Sequence, residues 1–173
     1  MLTISRIEVN HTAQLCTTDV LPVFGFTLES DRPGEALKEA IITCGDWHAV
    51  TTEQTGIRYT GELQPFTSYV LTVKAEGTSG DTATAHTSFM TGRLDTPWQG
   101  KWITNKRYKW PEKTSPVPMV FRRCFTLSGE INRAWINATA LGIYDDLTIN
   151  GQRVSEDYFA PGFTSYKHQI QYQ

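Results

Sequence analysis

Leu63-Gln64-Pro65-Phe66-Thr67-Ser68-Tyr69 decides how the first half of this chain is read. The stretch runs directly into an alternating series, Tyr69, Leu71, Val73 and Ala75, in which every second side chain is apolar or aromatic. Period two is the mark of a half-buried strand. Proline ahead of it fixes φ and stiffens the approach. The tyrosine can bury its ring while its hydroxyl returns to an upstream backbone group that would otherwise lack a partner. Working outward, the same alternation recurs. Phe24, Phe26 and Leu28 point one face inward, and Ile4, Ile7 and Val9 suggest an opening strand. Residues 41–44, 47–50 and 56–59 form short apolar runs, and residues 83–90 read as a last strand after the turn Gly77-Thr78-Ser79-Gly80-Asp81. Nowhere do apolar residues recur at i, i+3, i+4, i+7. Residues 33–41 (PGEALKEAI) come nearest to a helix, over a short span.

About seven short strands in about 90 residues fit two packed antiparallel sheets. Leu63, Pro65, Thr67 and Tyr69, read as Leu-x-Pro-x-Thr-x-Tyr, resemble the tyrosine corner of fibronectin type III domains. The chain is therefore expected to be all-β, opening with a fibronectin type III or immunoglobulin-like sandwich over residues 1–93. Leu63, Pro65 and Tyr69 are assigned structural roles.

Residues 94–118 read as linker and loop, beginning Leu94-Asp95-Thr96-Pro97 and turning polar, basic and proline-rich after Asn105. Strands are expected to resume in residues 119–173, at Val120-Phe121-Arg122-Arg123-Cys124-Phe125, at Ala134-Trp135-Ile136-Asn137-Ala138 and over residues 144–149. Asn150-Gly151 between apolar runs is a strong hairpin signal, because both residues tolerate the positive φ of a type I′ turn. Trp135, inside an apolar run, is expected in the core. Trp98 and Trp102 read as a wedge between the two blocks.

Several segments of this second block fall in a telling order: Phe121-Arg122-Arg123-Cys124-Phe125, Ala140-Leu141-Gly142-Ile143-Tyr144, Ile149-Asn150-Gly151-Gln152-Arg153-Val154 and Ala160-Pro161-Gly162-Phe163-Thr164-Ser165-Tyr166. Together they resemble the N-terminal β-sandwich domain of bacterial α-L-rhamnosidases, a family in which a fibronectin-like domain often stands in front. The resemblance implies a jelly-roll-like β-sandwich. It is incomplete over this length, since such a fold needs about eight strands and residues 100–173 offer four or five. It also implies a non-catalytic N-terminal accessory segment of an enzyme that removes terminal α-L-rhamnose. Such a segment would position an absent (α/α)₆ catalytic barrel and bind rhamnose-bearing glycans. By the same resemblance, Glu156 and Asp157 match positions that hold calcium in some members, although as exposed turn residues they need no ion. Tyr108, Trp110, Tyr158 and Phe163 lie in expected loops and are candidate platforms for a sugar ring, with simple packing as the alternative for each. No cofactor is demanded. Open strand edges in the second block predict a homodimer or an exchanged strand.

Hydrolysis by this chain itself is not expected. Inverting glycosidases place two carboxyls about 6.5–9.5 Å apart across one bond, whereas Asp145 and Asp146 are neighbours that a strand would send to opposite faces. Two other readings stay open, a free-standing carbohydrate-binding module and a structural or adhesion sandwich protein. The net charge of −2 argues against a nucleic-acid partner. Aromatics at 12%, five of them Trp, argue against disorder. Cys16, Cys44 and Cys124 are odd in number and show no CxxC spacing, so neither a disulfide framework nor a zinc ribbon is indicated. No apolar run approaches the roughly 18 residues of a membrane span. No basic and apolar leader opens the chain, which as written reads as cytoplasmic.

Overall fold

The computed structural model describes residues 1–13, 17–18, 20–105 and 118–173. The chain divides into two compact units, Met1–Thr104 and Asn105–Gln173. Among the described residues there is no helix, and hence none able to cross a membrane.

Among its described residues the first unit holds eight strands: β1 (Leu2–Val9), β2 (Thr17–Thr18), β3 (Val23–Ser30), β4 (Leu37–Cys44), β5 (Trp47–Thr51), β6 (Ile57–Arg58), β7 (Ser68–Gly77) and β8 (Thr82–Thr91). They form a three-stranded sheet, β1-β3-β6, and a five-stranded sheet, β2-β8-β7-β4-β5. All pairings are antiparallel except the two-residue parallel contact of β2 with β8. The alternation read from the sequence sets the registers. Leu71, Val73 and Ala75 on β7 lie opposite Cys44, Ile42 and Ala40 on β4, and all six face the core. The facing sheet supplies Ile7, Val9, Phe24, Phe26, Ile57 and Tyr59. Aromatic rings tie the layers together. Phe24 meets Trp47, Tyr59 and Phe89 with centroids 5.9, 6.0 and 5.8 Å away. Those separations are typical of edge-to-face and tilted pairs.

Residues 33–41 do not form a helical turn. The chain turns at Gly34, whose φ is +78°, and β4 begins at Leu37. Ala40, Ile42 and Cys44 are buried on one face while Glu39, Ile41 and Thr43 face out. The period-two pattern continues past residue 41 into β-branched Ile41-Ile42-Thr43, and it overrides the short helical stretch before it.

The corner itself is a hydrogen-bonded clasp. Gln64 N–H donates to the Tyr69 hydroxyl at 2.8 Å, and the Tyr69 ring stacks on Phe89 at 5.4 Å. Leu63 packs against the core. Thr91, buried at the end of β8, accepts from Thr67 N–H at 2.8 Å and donates to the Gln64 carbonyl at 2.6 Å. Tyr69→Phe keeps the ring and removes the acceptor for Gln64 N–H. The expected loss is about 1 kcal/mol, seen as a lower denaturation midpoint with unchanged slope. A loss above about 3 kcal/mol would mean that the ring itself had left its seat on Phe89.

Among its described residues the second unit contains one regular pair, β9 (Thr148–Ile149) with β10 (Gln152–Arg153), and an isolated antiparallel bridge between Tyr144 and Ala160. Asn150 and Gly151 take φ of +53° and +81° between the two strands, as a type I′ turn requires. Ala138 and Gln173 exchange two backbone hydrogen bonds, at 2.7 and 3.0 Å. The strands expected over residues 120–125 and 134–138 are not formed. Nor is Trp135 in a core: it is 44% exposed, with the Arg133 guanidinium 5.3 Å from its ring centre. A strand persists only when its N–H and C=O groups find a partner strand, and no described segment of this unit pairs with residues 120–125.

Candidate functional site

The polar centre of the second unit is built where the hairpin returns. β10 ends in Arg153, whose Nε donates to Asp146 Oδ1 at 3.0 Å and whose Nη2 donates to the Asp145 carbonyl at 3.2 Å. The same guanidinium lies 5.9 Å from the centre of the Tyr158 ring. One arginine thus fixes the preceding Asp145-Asp146 corner and an aromatic side chain beyond it. Two residues on, Ser155 and Asp157 form a local turn. The Ser155 hydroxyl donates to Asp157 Oδ2 at 2.6 Å and accepts from Asp157 N–H at 3.0 Å. Such short side chains commonly satisfy nearby backbone in this way. Gln173 Nε2 donates to the same Asp157 oxygen at 2.9 Å, and the Tyr144 hydroxyl donates to Gln173 Oε1 at 2.8 Å. Burial, and then the Asp157 carboxylate, push the Tyr144 hydroxyl above its ordinary pKa, so it remains a donor at neutral pH.

These groups border a shallow pocket of about 40 Å³. Tyr144, Arg153, Ser155, Asp157 and Gln173 give it polar edges, and Ile136, Leu147 and Val154 an apolar side. It is far smaller than the several hundred Å³ of a typical small-molecule cleft. It can place a few hydrogen-bonding atoms and no more.

The sequence-level candidates distribute unevenly around this centre. Asp157 is inside it. Glu156 is exposed and makes no hydrogen bond or ion pair, so the two neighbouring acids are not brought together. Calcium takes six to eight oxygens, and no group of three or more acidic, histidine or cysteine side chains able to hold a metal exists among the described residues. With one Asp157 oxygen already accepting two hydrogen bonds, these side chains alone do not supply a calcium shell. Tyr158 and Phe163 are 76% and 73% exposed. Tyr108 and Trp110 lie outside the described residues. Gln173, Ser155 and Arg153 were not legible as site members. Only the Ser-x-Asp spacing hinted at a local turn, and the contacts of Gln173 with Tyr144 and Asp157 span 29 and 16 residues. Asp145 and Asp146 are held by Arg153 at one corner, and Asp145 also lines the pocket.

The α-L-rhamnosidase N-terminal domain family matches residues 129–173. Over those residues the chain is similar to the α-L-rhamnosidase N-terminal domain. The hairpin, the Tyr144–Asp157 network and the Pro161-Gly162-Phe163 segment all fall inside the rhamnosidase match. An α-L-rhamnosidase of Formosa agariphila is 34% identical over 79 residues, covering 43% of this chain and 8% of that protein. One of Streptomyces avermitilis is 48% identical over 44 residues, covering 25% of this chain and 4% of that protein. The chain therefore spans less than a tenth of the length of the curated rhamnosidases it matches. Among solved structures, the native rhamnosidase of Aspergillus terreus aligns with the whole chain and 21% of its own, at TM-score 0.65 and 16% identity. The Streptomyces avermitilis enzyme complexed with L-rhamnose aligns with 60% of this chain and 12% of its own, at TM-score 0.55 and 20% identity. At such identities the structural likeness establishes the all-β fold, and the sequence matches show the similarity to α-L-rhamnosidases.

Proposed function

We propose that this chain serves as a non-catalytic accessory segment of an α-L-rhamnosidase, supporting a separate catalytic part and presenting a weak L-rhamnose contact on its second unit. The reading is carried by the family match at residues 129–173. It is supported by the setting of the adjacent acids read from the sequence. Asp145 and Asp146 share one corner under Arg153. The sugar contact would use the polar edge formed by Asp157 and Gln173 together with the exposed ring of Tyr158, which lies against Arg153 of the same pocket. An aromatic face covers the apolar side of a pyranose, and fixed polar atoms meet its hydroxyls.

Two measurements on the intact chain test this. Incubation with a chromogenic α-L-rhamnoside is expected to show no turnover above buffer; steady hydrolysis removed by Asp145→Asn or Asp146→Asn would overturn the accessory role. Calorimetric titration with L-rhamnose is expected to give weak binding, lost in Asp157→Ala and in Tyr158→Ala. Repeating it with calcium and with EDTA separates a sugar held by protein groups alone from one held through the ion. No heat in either buffer would leave a purely supporting segment.

A further inference from the structure

Asn150 is the one asparagine in the sequence that is followed by glycine. Both residues are exposed. Among the described residues, the Asn150 side-chain amide has no hydrogen-bond partner, and the Gly151 N–H donates to no acceptor. That freedom belongs to the turn itself. A two-residue loop is closed by the bond between its flanking residues, and its central N–H groups stay outside the ladder. A Cβ placed on Gly151 would meet nothing within 4 Å, so the approach to its nitrogen is open. The other asparagines differ. Asn10 donates through Nδ2 to Thr18 Oγ1 at 3.1 Å and accepts from Val23 N–H at 2.9 Å. After Asn137, the Ala138 N–H is committed to the Gln173 carbonyl at 2.7 Å. Asn105 and Asn132 are followed by lysine and arginine, whose side chains hinder approach to the nitrogen as glycine does not.

We propose that Asn150 is a self-modifying site, converting through a cyclic imide to aspartate and isoaspartate, and that the isoaspartyl form releases the Arg153 clamp. The Gly151 nitrogen attacks Asn150 Cγ. The N–Cγ bond forms, the Cγ–Nδ2 bond breaks, and the amide nitrogen leaves as ammonia together with the Gly151 proton. Water then opens the ring. Opening at Cγ gives aspartate. Opening at the Asn150 main-chain carbonyl gives isoaspartate, in which the backbone runs through Cγ and is one carbon longer. Water is the only co-reactant, and nothing is oxidised or reduced. β9 and β10 pair only through Gln152 with Ile149 and Arg153 with Thr148. So short a pair opens at little cost, which lets the turn reach the geometry of attack. The two products act differently on the hairpin. Aspartate accepts the φ of +53° that Asn150 holds, as type I′ turns allow. Isoaspartate inserts a carbon into a loop whose closure depends on that conformation, so the β9–β10 register is lost. Arg153 is carried on β10, and its bonds to Asp146 Oδ1 and the Asp145 carbonyl go with the strand, as does its place beside the Tyr158 ring. One covalent change at the hairpin tip thereby undoes the polar edge of the pocket.

Incubating the intact chain in mildly alkaline buffer, with peptide mapping by mass spectrometry, tests the modification. The peptide holding Asn150 is expected to lose ammonia and then gain water, at least about tenfold faster than a peptide holding any other asparagine. Asn150→Asp keeps a residue suited to the turn and has no amide, so ammonia loss at this position should vanish. The clamp is followed through the NMR resonance of the Arg153 Nε–H that Asp146 accepts. That signal should persist in Asn150→Asp, and in the purified isoaspartyl form it should move to the position of a solvated arginine. An Asn150 that converts no faster than Asn10 or Asn137 would overturn the site. An isoaspartyl form that keeps the Arg153 signal of Asn150→Asp would overturn the release. No sugar enters either readout, so this inference and the accessory role fail separately.

Discussion

Phe24→Ala is expected to destabilise the first unit by about 3–5 kcal/mol, the range for removing a large aromatic from a packed core. Phe24 is 1% exposed and lies between the sheets, with Trp47, Tyr59 and Phe89 packed around it. Truncation leaves a cavity bounded by three rings that are themselves held. Trp47 Nε1 donates to the Thr60 hydroxyl, Tyr59 donates to the Glu62 carbonyl, and Phe89 is stacked on Tyr69. With their polar handles fixed and ring on ring, these neighbours cannot collapse into the space without giving up a contact. The cost should therefore sit high in the range. For a domain of about 100 residues each kcal/mol lowers Tm by about 4–8 °C, so a fall of at least about 12 °C is expected by far-UV circular dichroism. A loss under about 1.5 kcal/mol, the scale of a volume-conserving swap, would mean that the rings repack freely.

That core was readable because a sandwich writes itself into sequence at period two. Phe24-x-Phe26 and Leu71-x-Val73-x-Ala75 each declare one buried face, and a one-residue slip would turn every one of them to solvent. The same logic failed in residues 33–41, where acidic and basic residues among apolar ones imitate a helical turn until Ile42 and Cys44 extend the alternation. It failed more fully for residues 120–125 and 134–138. Alternation reports what a segment could bury, and burial requires a second surface that the segment's own sequence does not name. Trp135 is the clearest case, an aromatic in an apolar run that finds no core to enter. The candidate site was legible in part for a related reason. Asn150-Gly151 and the acidic pair that follows are local signals. The network that positions Asp157 depends on Gln173 and Tyr144, residues brought together by folding and separated by 29 positions in the chain.

Thr91→Val is expected to cost about 2–3 kcal/mol, more than Tyr69→Phe, although it too removes only a hydroxyl. The difference lies in what is left behind. Thr91 is 1% exposed, and its hydroxyl serves Thr67 N–H and the Gln64 carbonyl at once. Valine has the same shape, offers neither interaction and excludes the water that could replace them, so two partly buried backbone groups lose a partner. Unmet groups of this kind carry a desolvation penalty of about 1–3 kcal/mol. Gln64 also joins the two sites, giving its N–H to Tyr69 and its carbonyl to Thr91. If the corner works as one clasp, the double substitution Tyr69→Phe with Thr91→Val should depart from the sum of the singles by at least about 0.5 kcal/mol, the threshold for coupled neighbours. The second loss should be smaller than the first, because once Thr91 no longer holds the Gln64 carbonyl, the Gln64 N–H can turn from Tyr69 toward water. Additivity within about 0.3 kcal/mol would instead mean that Tyr69 and Thr91 fasten the corner independently, each to its own stretch of backbone.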